Sequence, residues 1–227
     1  MDVNKGPLEK AQEHIREEKL GGKIATRLGN GLAPLEPGET DTVIIAGMGG
    51  DLICKILKAK PEFLIEGKEF ILQPQSEWFK IRRLLKEYHY QIEKEWFLKE
   101  DGKYYVIIKA EPAWTQPQRL KHQEPSIHEY IKEISEIPVN QAVSEKDMES
   151  IYEQYGKYLI ETKNPVLKEY LEKEITKKES IAAELKQSIK EIESEELSGK
   201  ERGNIAKRQR RYQEIQKEIR DMRKAIG

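Results

Sequence analysis

Val43-Ile44-Ile45-Ala46-Gly47-Met48-Gly49-Gly50, followed at once by Asp51-Leu52-Ile53, is a β-branched and apolar run that ends in small residues and passes into a helical pattern. In an open α/β sheet such a junction is the carboxyl edge of a strand, where ligands bind. Glycines there let a ligand touch the backbone, and the following helix offers its first N–H groups. A tight strand-to-helix turn without a ligand has the same composition. The run is not GxGxxG, so it does not point to a dinucleotide.

Upstream of this run, Pro7 suits a first helical turn and Leu8 to about Leu20 carries an apolar stripe, stopped by Gly21-Gly22. Lys23 to Leu28 has strand character and Gly29-Asn30-Gly31-Leu32 is a turn. Downstream come a helix from Gly50 to about Lys58, the strand Phe70-Ile71-Leu72, and a helix from about Glu77 to Tyr88 with Trp78, Ile81, Leu84 and Leu85 on one face. Tyr90 to Leu98 and Tyr104 to Ala110 alternate loosely around Asp101-Gly102, the signature of a β-hairpin. The order predicts an α/β fold over residues 1–112, a Rossmann-like sheet with a mixed edge.

Pro112, Pro117 and Pro125 mark a linker, and residues 113–163 read as linker and helices packing on the first domain. From Ser126 onward the pattern is helical. Leu171, Ile175, Ala182, Leu185, Ile189 and Ile192 step by threes and fours, with Lys178 at one step. Ile205, Tyr212, Ile215, Ile219, Met222 and Ile226 do the same, with Arg208 at one step. With Gly199 and Gly203 between them, the two stripes predict an antiparallel coiled-coil hairpin over 164–227.

Composition narrows the classes. Forty Lys and Arg against 41 Asp and Glu leave a net charge of −1, so bulk charge selects no partner. The single cysteine, Cys54, excludes an internal disulfide and suits a reducing cytoplasm. No apolar run reaches membrane-spanning length and no signal peptide opens the chain. The four histidines, among them His14, His89, His122 and His128, lack ligand spacing, so no metal is expected.

Several residues have the chemistry of a site. Ala46, Gly47, Met48 and Gly49 can border a ligand through their backbone. Asn30, held between Gly29 and Gly31, can offer an amide to a purine edge or simply occupy a left-handed turn. Pro74 ends its strand and leaves Gln73 at the carboxyl edge, where its amide can pair with a base; a strand-terminating Gln-Pro without a role reads the same. Asp2 would accept ribose hydroxyls if it ends a strand beside the cleft. The last helix has an excess of about six positive charges from Gly199 onward. Its cluster Lys207, Arg208, Arg210 and Arg211 suits phosphate contact or pairing with the acidic preceding arm.

Taken together, Gly6-Pro7-Leu8, Arg27-Leu28-Gly29-Asn30-Gly31-Leu32, Ile45 to Gly50, Ile71-Leu72-Gln73-Pro74, Gly102-Lys103-Tyr104-Tyr105, Tyr155 to Leu159 and Asn164 to Leu167 resemble the bacterial tRNA adenine-N1 methyltransferases acting at position 22, the TrmK family. The resemblance implies a Rossmann-like methyltransferase domain, a C-terminal coiled coil, S-adenosylmethionine as cofactor, tRNA as substrate and a cytoplasmic enzyme. It implies Gln73 and Pro74 at the reacting base, with Gln73 as acceptor for the exocyclic amine. Asp2, Asn30, Gly31 and Ala46 to Gly49 would lie around the cofactor. Many relatives carry an acid where this chain has Asn30. The family's first strand and its Asp/Gly-rich loop have no counterpart here, so the chain reads as N-terminally truncated. That leaves a second expectation, an impaired methyltransferase serving as an RNA-binding scaffold.

Overall fold

The computed structural model describes residues 1–113 and 139–227, apart from 194–198. It divides into two compact units. The first holds residues 1–96 and the strand from Tyr105 onward; the second holds the hairpin tip Phe97–Tyr104 and the C-terminal helices.

In the first unit, helix α1 (Lys5–Glu17) precedes a sheet of β1 (Thr42–Met48), β2 (Glu69–Pro74), β3 (Tyr90–Glu100) and β4 (Lys103–Pro112), in the order β1-β2-β4-β3. Strands β1 and β2 run parallel, with Val43 opposite Phe70 and Ile45 opposite Leu72. Their crossover is carried by α2 (Gly50–Ala59) and α3 (Glu62–Ile65), as parallel neighbours require. Strand β4 is antiparallel to β2, which makes the expected mixed sheet. Asp101 and Gly102, at φ 47° and 76°, form the turn of a hairpin, as the Asp-Gly pair predicts. Helix α4 (Trp78–Glu87) follows β2 and buries Ile81, Leu84 and Leu85. Phe70, Leu72, Ile53, Leu57 and Ile108 are fully enclosed, each contributing about 1.5–3 kcal/mol of burial. The Tyr90 hydroxyl donates to the Leu64 carbonyl at 3.2 Å and anchors α3.

One expected strand is not formed. Lys23 to Leu28 has strand composition, yet only Leu28 pairs, in a single parallel bridge with Asp2. Backbone pairing is needed to hold an extended segment, and one bridge does not propagate. Asp2 therefore lies in an isolated bridge rather than at the end of a strand.

The second unit contains α5 (Val139–Tyr155), α6 (Lys157–Glu161), α7 (Pro165–Glu193) and α8 (Gly199–Ile226). Gly156, at φ 92°, separates α5 from α6 within the helical region that the sequence pattern predicts. Asn164 caps α7: its Oδ1 accepts the N–H groups of Val166 and Leu167, both at 3.0 Å, and Pro165 occupies the first helical position. Leu171, Ile175, Ala182 and Ile189 on α7 and Ile205, Ile215, Ile219 and Met222 on α8 are buried. The polar residues at their odd steps reach across: Lys178 pairs with Glu218, and Arg208 donates to Ser188. These partners run in opposite order, so the two helices are antiparallel. Gly199 begins α8 and Gly203 lies within it, so neither forms the expected turn. The linker prolines Pro117 and Pro125, with His122 and His128, lie outside the described residues.

The hairpin tip adds an aromatic cluster. Phe97, Tyr104 and Tyr170 stack with ring centroids 5.0–5.8 Å apart. Beside them the Glu169 carboxylate accepts from Lys173 at 2.7 Å, Lys99 at 2.6 Å and the Tyr104 hydroxyl at 3.1 Å. Lys173 first, then Lys99, hold Glu169 down to about 2.

Candidate functional site

The site lies at the carboxyl ends of β1 and β2, within the first unit. Strand β1 ends as Gly47 turns into the left-handed region at φ 77°, a conformation costly for a residue with a Cβ. The Gly47 N–H donates to the Gln73 Oε1 at 2.8 Å. Because a backbone N–H can only donate, this bond fixes which end of the amide is oxygen. One Oε1 lone pair is thereby used and a second remains. The other end, Nε2, is buried without a partner.

The turns after the two strands are laced together. The Gln75 N–H donates to the Met48 carbonyl at 2.8 Å, the Gly50 N–H to the Ser76 carbonyl at 3.0 Å, and the Asp51 N–H to the Glu77 carboxylate at 3.2 Å. Close approach of the two turns requires glycine at position 50. A Cβ there would lie 2.6 Å from the Glu77 carbonyl oxygen and 2.7 Å from that of Ser76. Lys80 ties the same corner, with its ammonium 2.8 Å from Asp51 and 2.5 Å from Glu77. Lys55 first, then Lys80, hold the Asp51 carboxyl down to about 2, and Lys80 itself is raised to about 12. The first two N–H groups of α2 are thus engaged by Ser76 and Glu77, not left open to a ligand as the sequence pattern led us to expect. Gly49 is likewise committed, its carbonyl accepting from the Ile53 N–H at 3.1 Å.

A cavity of about 440 Å³ runs alongside β1. Gly31, Ala46, Met48 and Met1 share its lining, with Leu32, Leu35 and Ile56 as apolar floor. The Asp2 carbonyl accepts the Gly29 N–H at 2.9 Å, so Asp2 sits beside the turn that bears Asn30. The Asp2 carboxylate accepts the Asn4 N–H at 2.8 Å and opens α1. Ala46, Gly47 and Asn30 are exposed. The structure therefore gathers Gly31, Ala46 and Met48 around one cleft, with Gln73 bonded through Gly47, while Asp2 and Asn30 are sequence neighbours of lining residues and do not themselves line it. Pro74 is buried opposite Met48, next to an irregularity in the ladder between Ala46 and Met48.

Sequence reasoning assigned no role to the supports of this cleft. Arg27 makes a two-pronged bond to Glu39, at 2.6 and 2.7 Å, and also donates to the Pro34 carbonyl at 2.9 Å. This clasp closes the loop below the Asn30 turn and holds Glu39 down to about 2, Arg27 being the first cause and the Glu36 N–H the second. An Arg and a Glu twelve residues apart carry no local signal. The acid at Glu77, just ahead of a helical run, was visible but not its reach to Asp51.

Of the four basic residues proposed for phosphate contact, Lys207, Arg210 and Arg211 are exposed and Arg208 is half-buried against α7. Arg211 is neutralised by Glu214 and Glu218, at 3.1 and 3.3 Å.

Residues 1–136 match the family described as tRNA (adenine(22)-N(1))-methyltransferase, TrmK. The chain belongs to that family. A Bacillus subtilis tRNA (adenine(22)-N(1))-methyltransferase is 37% identical over 110 residues, covering 48% of this chain and 46% of that relative. The chain thus spans about half the length of the curated relative it matches. The solved B. subtilis TrmK superposes with a TM-score of 0.65 at 24% identity, covering 99% of this chain and 80% of the other. M. capricolum TrmK, solved with S-adenosyl-homocysteine, gives 0.63 at 23%, covering 99% and 78%. At these identities the superpositions establish the fold: a Rossmann-like sheet followed by helices. Among the described residues no helix is long and apolar enough to cross a membrane.

Proposed function

We propose that this chain takes part in S-adenosylmethionine-dependent methylation of adenine N1 in tRNA, at position 22, in the cytoplasm. One observation supports the reading: Gly31, Ala46 and Met48 line one cavity beside β1, and the Gly47 N–H between the last two bonds Gln73. Exposed backbone at Ala46 and Gly47 and the apolar floor beneath Gly31 fit a nucleoside-bearing cofactor. Asn30 and Gly31 would hold its adenine and Asp2 its ribose, with Ala46 to Gly49 bordering the methyl donor. When bound, that cofactor supplies an electrophilic methyl group on a sulfonium.

Adenine N1 is neutral near pH 7 and keeps its lone pair, so no strong base is needed. The protein's task is to extrude the base and aim N1 in line with the methyl group. Methylation places positive charge on the ring, which an acceptor at the exocyclic amine stabilises. The second lone pair of the Gln73 Oε1, aimed by the Gly47 N–H, fills that role. Pro74 shapes the pocket edge. The antiparallel pair α7–α8, which we read as a coiled coil, grips the tRNA through Lys207 and Arg210, while Arg208 and Arg211 keep internal partners.

Methyl transfer from labelled cofactor to tRNA tests the scheme. Gln73→Ala should lower kcat by about 10²–10³-fold, the range for one preorganised polar group. Gln73→Glu, which keeps an acceptor for Gly47, should retain more of it. Undiminished turnover in Gln73→Ala removes Gln73 from the mechanism. The rival reading, an impaired scaffold, predicts tRNA binding without calorimetric heat from S-adenosylmethionine.

A further inference from the structure

Helices α2 and α4 pack side by side in the first unit, and a cavity of about 540 Å³ runs in the groove between them. It is separate from the cleft beside β1, with which it shares no lining residue. The groove opens at the corner where Lys80 meets Asp51 and closes where the Lys58 ammonium donates to Glu87 at 3.0 Å.

Its charges are arranged in rows. Lys55 and Lys58 line it from α2, and Lys80 and Arg83 from α4, each pair one helical turn apart. The lining carboxylates, Asp51 and Glu87, stand at opposite ends, so the groove has an excess of two positive charges. Glu77, outside the groove, also holds Lys80, and the balance stays positive. Lys55 and Lys58 are exposed, with side chains 74% and 49% open to solvent. Exposed ion pairs are weak, so exchanging a carboxylate for another anion costs little.

The floor is Cys54, half-buried with its thiol donating to the Lys80 carbonyl, and Leu84, which is buried. A protein partner would need an exposed aromatic or aliphatic anchor, and the lining supplies none. A single small anion would need clustered donors. The first N–H groups of α2 are taken by Ser76 and Glu77, which leaves separated side-chain cations. From Asp51 to Lys58 the groove is about 10 Å long at about 1.5 Å per residue. That length matches about three nucleotides of one strand at about 3.4 Å each.

We propose that the groove between α2 and α4 binds the phosphate backbone of RNA, holding about three consecutive phosphates of one strand. This rests on the reading of the chain as acting on tRNA and adds an anchor within the first unit. Because α4 follows directly from the Gln73 turn, a strand held here keeps its extruded base close to the reacting end of the sheet.

Cys54 is the only cysteine in the chain and reports on the groove directly. Burial holds its thiol above the usual range, so alkylation by iodoacetamide is followed by mass spectrometry on the full chain at about pH 9. Saturating tRNA should slow that reaction at least about five-fold. Lys58→Gln combined with Arg83→Gln should lower the slope of log tRNA affinity against log salt by about two and leave the heat of S-adenosylmethionine binding unchanged. If that variant does not fold, tRNA with a neutral methylphosphonate linkage on each side of the target adenine replaces it, and should show the same reduced slope on the wild-type chain. If tRNA binds while Cys54 reacts at its free rate, or the slope is unaltered, this proposal is overturned and the tRNA reading stands. If tRNA does not bind the wild-type chain at all, both fall.

Discussion

Single atoms set the tightest constraints in the first unit. A methyl group added at Gly50 meets backbone oxygens at 2.6 and 2.7 Å, which cannot move aside as a side chain can. Gly50→Ala should cost about 1–3 kcal/mol in urea unfolding and weaken cofactor binding by separating the two turns. A second constraint is the buried pair of Arg82 and Glu95, joined at 2.8 Å with Glu95 only 2% exposed. Burial raises the Glu95 carboxyl above its usual range, with Arg82 opposing. Removing either partner breaks a buried pair, so Arg82→Ala and Glu95→Ala should each cost about 3–5 kcal/mol in denaturant unfolding. A loss below about 1 kcal/mol in either variant, the value of an exposed pair, would rule this account out.

At the scale of elements, the corner between α2 and the turn after β2 depends on the charge of Asp51. Its folded-state pKa is lowered to about 2, so the stabilisation is complete above the ordinary carboxylate range and is lost as pH falls from about 4 through about 2. Unfolding midpoints measured down this range should drop, and Asp51→Asn should flatten that part of the profile. The elements themselves were largely legible. Periodicity in Ile81, Leu84 and Leu85, and Asp-Gly in the hairpin turn, are local signals that survive folding. Lys23 to Leu28 was misread because strand composition says nothing about whether a partner is present. The Arg208 contact was not legible for a similar reason: its sequence neighbours are basic, while its partner Ser188 lies on another helix. At the site, the placing of Ala46 and Met48 followed from strand-end logic, whereas Gly31 follows a segment that forms no strand. The lacing through Ser76 and Glu77 was not legible, because contacts between turns leave no periodic trace.

Across the whole molecule, net charge near zero conceals a segregation: the chain from Gly199 onward has an excess of about six positive charges. Lys207→Glu and Arg210→Glu should each weaken tRNA binding across sequences and lower the slope of log affinity against log salt by about one. Arg211→Ala should have less effect, since Glu214 and Glu218 already neutralise that guanidinium. Filter binding over a salt series separates these cases. The contact at Gly50 finally implies a rule for how such proteins diverge over time. Any lineage that acquires a bulkier residue there must also lengthen or rebuild the loop at positions 75–77, so the two places should drift as a coupled pair while exposed positions such as Ala59, at the far end of α2, vary freely.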